Sequence, residues 1–284
     1  MPELPEVETM RRGVLEITGA TIVAAERTAC EKKPISIRPR IDHLNRRLAG
    51  RKIAAVERLG KRVVIRIESG DRLIFEPRMT GNVMLANPPT AEHLRFRLRL
   101  RKCPHKELLF WDRRGLGTVA LLTADEYQAK LDSGMLGPDA IAVELDDFKT
   151  RISKSRRAVK VALLDQSVIA GVGNLYASEI LHVAGVHPEA RCDRLKPAQW
   201  KRIHHHMIDI LETAIEYEGS TLSDGTYRNA LNDPGSYQNQ HLVYDRAGET
   251  CPTCGVKVIK RIVQAQRSTF YCAGCQTKTI RKSR

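Results

Sequence analysis

An α+β fold follows from two hydrophobic periodicities that succeed one another along the chain and from four cysteines in two close pairs. Up to about residue 135, apolar residues recur mainly at every second position, as on half-buried strands. Beyond that point they recur at helical spacing, and Cys251, Cys254, Cys272 and Cys275 close the chain. The 284 residues suffice for one large domain or two ordinary ones, and a hydrophobic content of 42% fits a globular chain.

The elements follow in order. Residues 5–17 predict a helix, with Val7, Met10, Val14 and Ile17 on one face. Strands are predicted over 20–27, 52–58, 63–67, 72–75, 94–101, 107–111 and 118–122. The stretch from Leu94 to Arg101 alternates without a break, one face apolar and the other cationic. Many short strands at close spacing predict an antiparallel sandwich or barrel. Gly134-Met135-Leu136-Gly137-Pro138-Asp139 reads as a linker. A short helix then breaks at Gly171-Val172-Gly173-Asn174, and a second runs over 175–183. A third carries Ile203, Met207, Leu211 and Ala214 and closes at Gly219. The segment 220–244, rich in Gly, Asn, Asp and Ser, reads as a long functional loop, and 278–284 as a basic tail. The domains expected are 1–135, a linker over 136–150, 151–244, and 245–284 for the cysteine module and tail. His204-His205-His206 reads as a solvated helix face, because consecutive helical residues point in different directions.

Charge narrows the partner. Lys plus Arg number 47 against 33 for Asp plus Glu, a net charge of +14 that favours a polyanion through counterion release. No run of 18 apolar residues predicts a membrane span, and the acidic N-terminus is unlike a signal peptide, so a cytoplasmic location is expected. Cys30, Cys103 and Cys192 are scattered and read as inert thiols.

The paired cysteines are a different matter. Two C-x2-C pairs separated by 17 residues can close a tetrahedral zinc site from two tight turns, with a β-hairpin between them. Four thiolates leave no open coordination position, so one structural Zn2+ is predicted. Apparent zinc-binding energies of roughly 10–16 kcal/mol mean that so small a module folds only around its metal. Lys260, Arg261 and Arg267 on that hairpin suit a phosphate-gripping finger.

The N-terminal string Met1-Pro2-Glu3-Leu4-Pro5-Glu6-Val7-Glu8-Thr9 carries the chemistry. Once Met1 is removed, Pro2 presents a secondary α-amine. An α-amine has a neutral fraction at pH 7 larger than that of lysine by roughly two orders of magnitude. Its attack on an electrophilic sugar carbon gives an iminium with no N–H to lose, so the positive charge persists and acidifies the neighbouring carbon. Glu3 is placed to move protons beside it.

This string resembles the opening of the bacterial formamidopyrimidine-DNA glycosylases; the related endonuclease VIII type usually has Gly where this chain has Leu4. The similarity runs the full length, with the helical turn and the zinc finger in the family's order. It implies a β-sandwich with an N-terminal helix, a helical domain with a helix–two-turns–helix, and a zinc-finger hairpin. The implied activity is a bifunctional DNA glycosylase and abasic-site lyase of base excision repair. Its expected partner is double-stranded DNA containing oxidised purines (8-oxoguanine or formamidopyrimidines), met by a monomer and away from any membrane.

By that resemblance Pro2 is the Schiff-base nucleophile and Glu3 its proton donor or acceptor. Lys61, in Leu-Gly-Lys-Arg-Val-Val, assists β-elimination and holds a phosphate, and Arg267 assists δ-elimination. Asn174, in Gly-Val-Gly-Asn-Leu-Tyr-Ala, binds a phosphate at the helical turn. Of the residues that fill the gap left by an extruded base, Met79 and Arg114 match the family, whereas Leu116 stands where the family has Phe. His93 falls near a phosphate-binding histidine. A family lysine before the helical turn falls at Ser155, with Lys154, Arg156 and Lys160 as nearby substitutes, and 220–237 corresponds to the lid over the base. Rival readings are a glycosylase of the same family for oxidised pyrimidines, a damaged-DNA-binding protein without catalysis, and an RNA-binding zinc-ribbon protein. The last leaves the N-terminus unexplained.

Overall fold

The computed structural model describes residues 2–277; the basic tail expected over 278–284 lies outside the described residues. Two compact units form, Met1–Gly134 with Ala214–Gln238, and Met135–Thr213 with Asn239–Arg284.

In the first unit the N-terminal helix, α1, spans Leu4–Gly13. Glu3 caps it in a capping box with Glu6, Pro5 occupies its first turn, and Arg11 and Arg12 face the negative end of its dipole. It ends earlier than the periodicity predicts. Gly13 passes so close to Ala230 that an added Cβ would lie 2.5 Å from that residue's own Cβ. Val14 then leaves helical geometry and Leu15–Ile17 form a 3-10 turn, although Val14 and Ile17 stay fully buried.

The remaining elements of this unit are β1 (Thr21–Arg27), β2 (Ser36–Arg38), α2 (Ile41–Leu48), β3 (Ile53–Leu59), β4 (Arg62–Ile67), β5 (Arg72–Glu76), β6 (Gly81–Met84), β7 (Leu94–Arg101), β8 (Glu107–Asp112), β9 (Thr118–Leu122) and α3 (Ala124–Asp132). They build two sheets, ordered β1-β7-β8-β6 and β2-β9-β5-β4-β3. Pairing is antiparallel throughout except for β2, whose three residues lie parallel to β9, a departure from the purely antiparallel expectation. The strands β2 and β6 and the helices α2 and α3 were not legible from periodicity. All four residues of β6 are buried, so it shows no alternation. In β7 the apolar face is buried as expected. Arg95 breaks the cationic face: it is 2% exposed, and its guanidinium donates to the Asp112 carbonyl at 2.8 Å and to the Cys30 sulfur.

The core centres on Phe75, whose ring lies 5.7 Å from Phe96 and 5.6 Å from Phe110. The segment 214–238, assigned from sequence to the helical domain, groups with this unit for a packing reason. Tyr227 and Ala230 bury in the sheet core, Ala230 accepts from the Leu85 N–H at 3.0 Å, and Thr226 accepts from Asn82 Nδ2 at 2.8 Å.

The second unit is helical, with α4 (Leu145–Ile152), α5 (Val159–Leu163), α6 (Asn174–Val183) and most of α7 (Pro197–Glu216), followed by the hairpin of β10 (Ile259–Gln264) and β11 (Arg267–Cys272). Phe148 packs on Trp200 with ring centroids 5.8 Å apart, while Tyr176, Leu181, Ile203 and Met207 are fully buried. An α+β architecture with a β domain, a helical domain and a four-cysteine module is thus observed.

Two outcomes follow from the first unit. Phe75→Ala removes the ring that joins both neighbours and should cost about 3–5 kcal/mol, read as a lowered urea midpoint for this unit. Glu8, 7% exposed, lies 2.7 Å from Arg11, 2.9 Å from Arg12 and 3.1 Å from Arg58. Burial alone would raise its pKa, but the three guanidiniums outweigh burial and hold it below 4.5. A depressed carboxyl stabilises fully above its unfolded value and loses that contribution as pH falls through the folded one. The stability gap between the native chain and Glu8→Gln should therefore be constant near neutrality and close on acidification below about pH 4.5. A gap that stays level in urea titrations across that range would remove the role given to these ion pairs.

Candidate active site and metal centre

The capping of α1 fixes the N-terminal residues. Pro2 is buried and Glu3 is 3% exposed. The Glu3 N–H donates to Glu6 Oε2 at 2.8 Å, and the other oxygen of the same carboxylate accepts the Ser220 N–H at 2.9 Å. One buried carboxylate thereby ties the residue beside Pro2 to the loop that follows α7. Gly219, at φ +76°, is required there, since a Cβ would meet the Glu6 carboxylate at 2.8 Å. Tyr227 donates its hydroxyl to the Glu218 carbonyl at 2.8 Å; burial, aided by the Glu6 carboxylate, pushes its pKa well above 10. The segment 220–237 is thus held by specific bonds, not left as a loose surface loop. Glu6 was not singled out from sequence, although its three-residue spacing from Glu3 is a capping-box signature.

Helix α1 packs on β3, β4 and β6, and the ends of these strands carry further candidates. Lys61 is half-buried in the two-residue turn Gly60-Lys61 joining β3 to β4, where Leu59 pairs with Arg62. Met79 precedes β6 and is 38% exposed, a large apolar side chain held outward rather than in the core. Arg114 is exposed and Leu116 half-buried in the loop between β8 and β9. That loop is folded by Asp112, which is fully buried. Its carboxylate accepts N–H groups from Arg114 at 3.2 Å and Gly117 at 2.7 Å, together with the Thr80 hydroxyl. Thr80 in turn accepts the Arg114 N–H at 3.0 Å. The structure therefore brings the neighbourhoods of Met79 and Arg114 together through a residue that sequence reading missed. His93 immediately precedes β7. Its ring lies edge-on to Trp111 at 5.6 Å, Nε2 is 3.0 Å from Glu92, and Nδ1 is buried without a hydrogen bond.

In the second unit, the turn at 171–174 is shaped by Gln166, which donates to the Val172 carbonyl at 2.9 Å and accepts the Gly171 N–H at 3.0 Å. Gly171 sits at φ +112° and Gly173 is the N-cap of α6, so the turn leads directly into the start of that helix. Asn174 opens α6 half-buried. Its Oδ1 accepts from Lys160 Nζ at 2.7 Å, and its Nδ2 donates to the Ser268 carbonyl at 3.0 Å. Lys160 is 1% exposed and also donates to Thr269 Oγ1 at 2.7 Å and the Ser268 carbonyl at 3.1 Å. Of the cations near Ser155, Lys160 is the one joined to Asn174, whereas Ser155 bonds to Arg157. Arg267 is exposed and immediately follows the hairpin turn Ala265-Gln266, both at positive φ.

Cys251, Cys254, Cys272 and Cys275 converge with their sulfurs within 4.8 Å of one another. The Cys251–Cys275 and Cys254–Cys272 separations are 3.9 and 3.7 Å. A tetrahedral zinc with bonds of about 2.3 Å requires sulfurs about 3.8 Å apart, so the donor set fits one structural Zn2+. The Lys257 and Val256 N–H groups lower Cys254 to about 6, while burial and its sulfur neighbours push Cys275 up to about 12. A bound dication favours the thiolate at all four positions. His182 is buried beside this centre between Gln276 and Thr253, and burial lowers its pKa, which keeps it a neutral hydrogen-bonding ring.

Three family models match the chain: the formamidopyrimidine-DNA glycosylase N-terminal domain over residues 1–119, the H2TH domain of the same glycosylase over 136–226, and the zinc finger found in FPG and IleRS over 248–278. The formamidopyrimidine-DNA glycosylase of Chloroflexus aurantiacus is 37% identical over 97% of this chain and 98% of its own length. That of Bacillus subtilis is 36% identical over 98% and 100%. Among solved structures, a Lactococcus lactis Fpg complex with DNA containing an abasic site superposes with a TM-score of 0.85 at 32% identity, covering 97% of this chain and 100% of that one. MutM (Fpg) from Thermus thermophilus gives 0.85 at 33% identity over 98% and 100%. With the buried N-terminal proline, the glycine-bounded helical turn and the four-thiolate centre, these matches mean that the chain belongs to the formamidopyrimidine-DNA glycosylase family.

Proposed function

We propose that the chain excises oxidised purines from double-stranded DNA and cleaves the resulting abasic site, with Pro2 as nucleophile. The observation that carries this reading is the buried pair Pro2-Glu3 at the capped start of α1, tied through Glu6 to Ser220. The amine attacks C1′ of the lesion nucleotide, and the base departs with the electrons of its glycosidic bond and takes up a proton. Glu3, at the sugar, supplies or removes protons in this step. The amine gives up its proton and the C1′–O4′ bond opens, O4′ keeping the bonding electrons and taking up a proton. The iminium that forms has no N–H and stays cationic, so C2′ loses a proton and the C3′–oxygen bond breaks by β-elimination. Lys61 holds a phosphate and assists this step. A second proton loss breaks the C5′–oxygen bond, a δ-elimination in which Arg267 assists.

The other candidates act on the duplex. Met79, Arg114 and Leu116 fill the gap left by the extruded base, offsetting an unstacking cost of a few kcal/mol. Leu116 fills volume without a flat aromatic face. Asn174 binds a phosphate at the helical turn, and His93 contributes a weaker phosphate contact. The zinc takes no part in bond breaking; it holds the hairpin that bears Arg267. Bacterial relatives, and the absence among the described residues of a helix able to cross a membrane, support action in the bacterial cytoplasm.

Borohydride reduction tests the central step. The mature chain on an 8-oxoguanine:C duplex should give a covalent protein–DNA adduct, and Pro2→Gly should abolish it. Glu3→Gln should lower base release by about 10²–10⁴-fold, the usual worth of a positioned acid or base. Trapping on oxidised pyrimidines alone would transfer the assignment to the other lesion class. Binding to abasic DNA without any adduct would mark a non-catalytic sensor. Lys160→Met should weaken both finger stability and DNA affinity by about 1–3 kcal/mol, because three acceptors lose their buried donor. Unchanged affinity in fluorescence titration would show that Asn174 is held without it.

A further inference from the structure

Among residues given no part in the glycosylase reaction, one face of α7 gathers a set of donors whose histidines read as a solvated face in the sequence. His204, His205 and His206 are consecutive and do not share a direction. His204 turns inward, its Nε2 2.8 Å from the Val143 carbonyl and its ring 5.8 Å from Phe148. His205 and His206 instead meet Asp209, which lies four and three residues further along the helix. Asp209 Oδ2 is 3.2 Å from His205 Nε2 and 3.6 Å from His206 Nδ1. The three candidate ligand atoms all fall within 4.8 Å of one another.

A zinc ion with bonds of 2.0–2.1 Å to nitrogen and oxygen sets tetrahedral ligand separations of about 3.4 Å. Two of the three separations on α7 already bracket that value. We propose that His205, His206 and Asp209 form a second metal site, which binds Zn2+ through two imidazole nitrogens and one carboxylate oxygen. Two imidazoles select a borderline ion over Mg2+ or Ca2+, which take sets made of oxygen. His205 and Asp209 are 68% and 50% exposed at their side chains, so solvent reaches the ion and a water completes the coordination. Three ligands on an exposed helix bind more weakly than four thiolates in a closed knuckle. The carboxylate between the imidazoles supplies the negative charge that compensates the ion. A bound ion also bridges residues 205 and 209 across one helical turn and so stiffens that stretch of α7.

Equilibrium dialysis of the full-length protein, with its four-cysteine centre loaded, decides the matter. At about 100 µM free Zn2+ the protein should hold two equivalents, of which mild chelation removes one while the other remains. His205→Ala and Asp209→Ala should each weaken the second equivalent tenfold or more. Both variants should retain the first equivalent and the native strand-cleavage rate, which shows that they fold. A Zn2+-dependent rise in Tm, present in the native chain and absent from Asp209→Ala, is the accompanying readout. A single equivalent throughout the titration would overturn the proposal, and so would a second equivalent that survives both substitutions. In either case the contacts are ordinary histidine–aspartate ion pairs.

Discussion

A carboxylate taken out of water must find donors inside the protein, and this chain uses that requirement to fold its irregular segments. Glu6 accepts the N–H groups of Glu3 and Ser220, and Asp112 those of Arg114 and Gly117. Glu179, 1% exposed on α6, accepts three in succession, from Leu242, Val243 and Tyr244. Each of these acids sits on or at the end of a regular element and grips backbone that has no ladder of its own. Hydrogen bonds to a charged acceptor are worth about twice neutral ones, so a few such clamps substitute for a strand's worth of pairing. Burial works the other way and raises the Glu179 pKa, so the three N–H groups are what make a carboxylate tolerable at that depth.

The clamps matter because the proposed chemistry rests on loops. Met79, Arg114, Leu116 and Ser220 all lie outside helices and strands, where an unsupported backbone would wander by more than the tolerance of a reacting geometry. Two stacked sheets give rigid anchors. The carboxylates transmit that rigidity across one or two residues, and the exposed side chains stay free to meet the duplex. Lys160 is the cationic counterpart. A buried ammonium is costly on its own, and it is retained here because Asn174, Ser268 and Thr269 supply it with acceptors on two different elements.

These particulars explain what was legible in the sequence. Strands β7 and β9 were read to the residue, because one face of each is buried and the pleat leaves its period in the residue order. Strand β6 left no such trace, since both of its faces are covered. At the end of α1, Gly13 packs against a neighbour far away in the chain, Ala230, a contact invisible to local periodicity. Pro2, Glu3 and the cysteine quartet stand out because their chemistry depends on their position or spacing. Glu6, Asp112 and Glu179 do not, because a surface acid and a buried clamp look alike until burial is known. The same ambiguity left Lys160 as one of several cations near Ser155.

The zinc finger shows how far a local constraint can reach. Four sulfurs fix one end of the β10–β11 hairpin, and the I′-type turn at Ala265-Gln266 fixes the other, with Gln264 paired to Arg267. With both ends set, a slip of one residue would carry Phe270 and Cys272 out of their cluster with Val243, Cys251 and Ile259, so the register is held by the core and the metal together. Arg267 then has no freedom along the strand, and only its side chain moves. Lys160 and Asn174 bind the backbone and side chain of the next two residues, Ser268 and Thr269, on the same strand. The backbone of the arginine proposed for one elimination step is therefore positioned by the four-cysteine centre, a turn and a buried lysine.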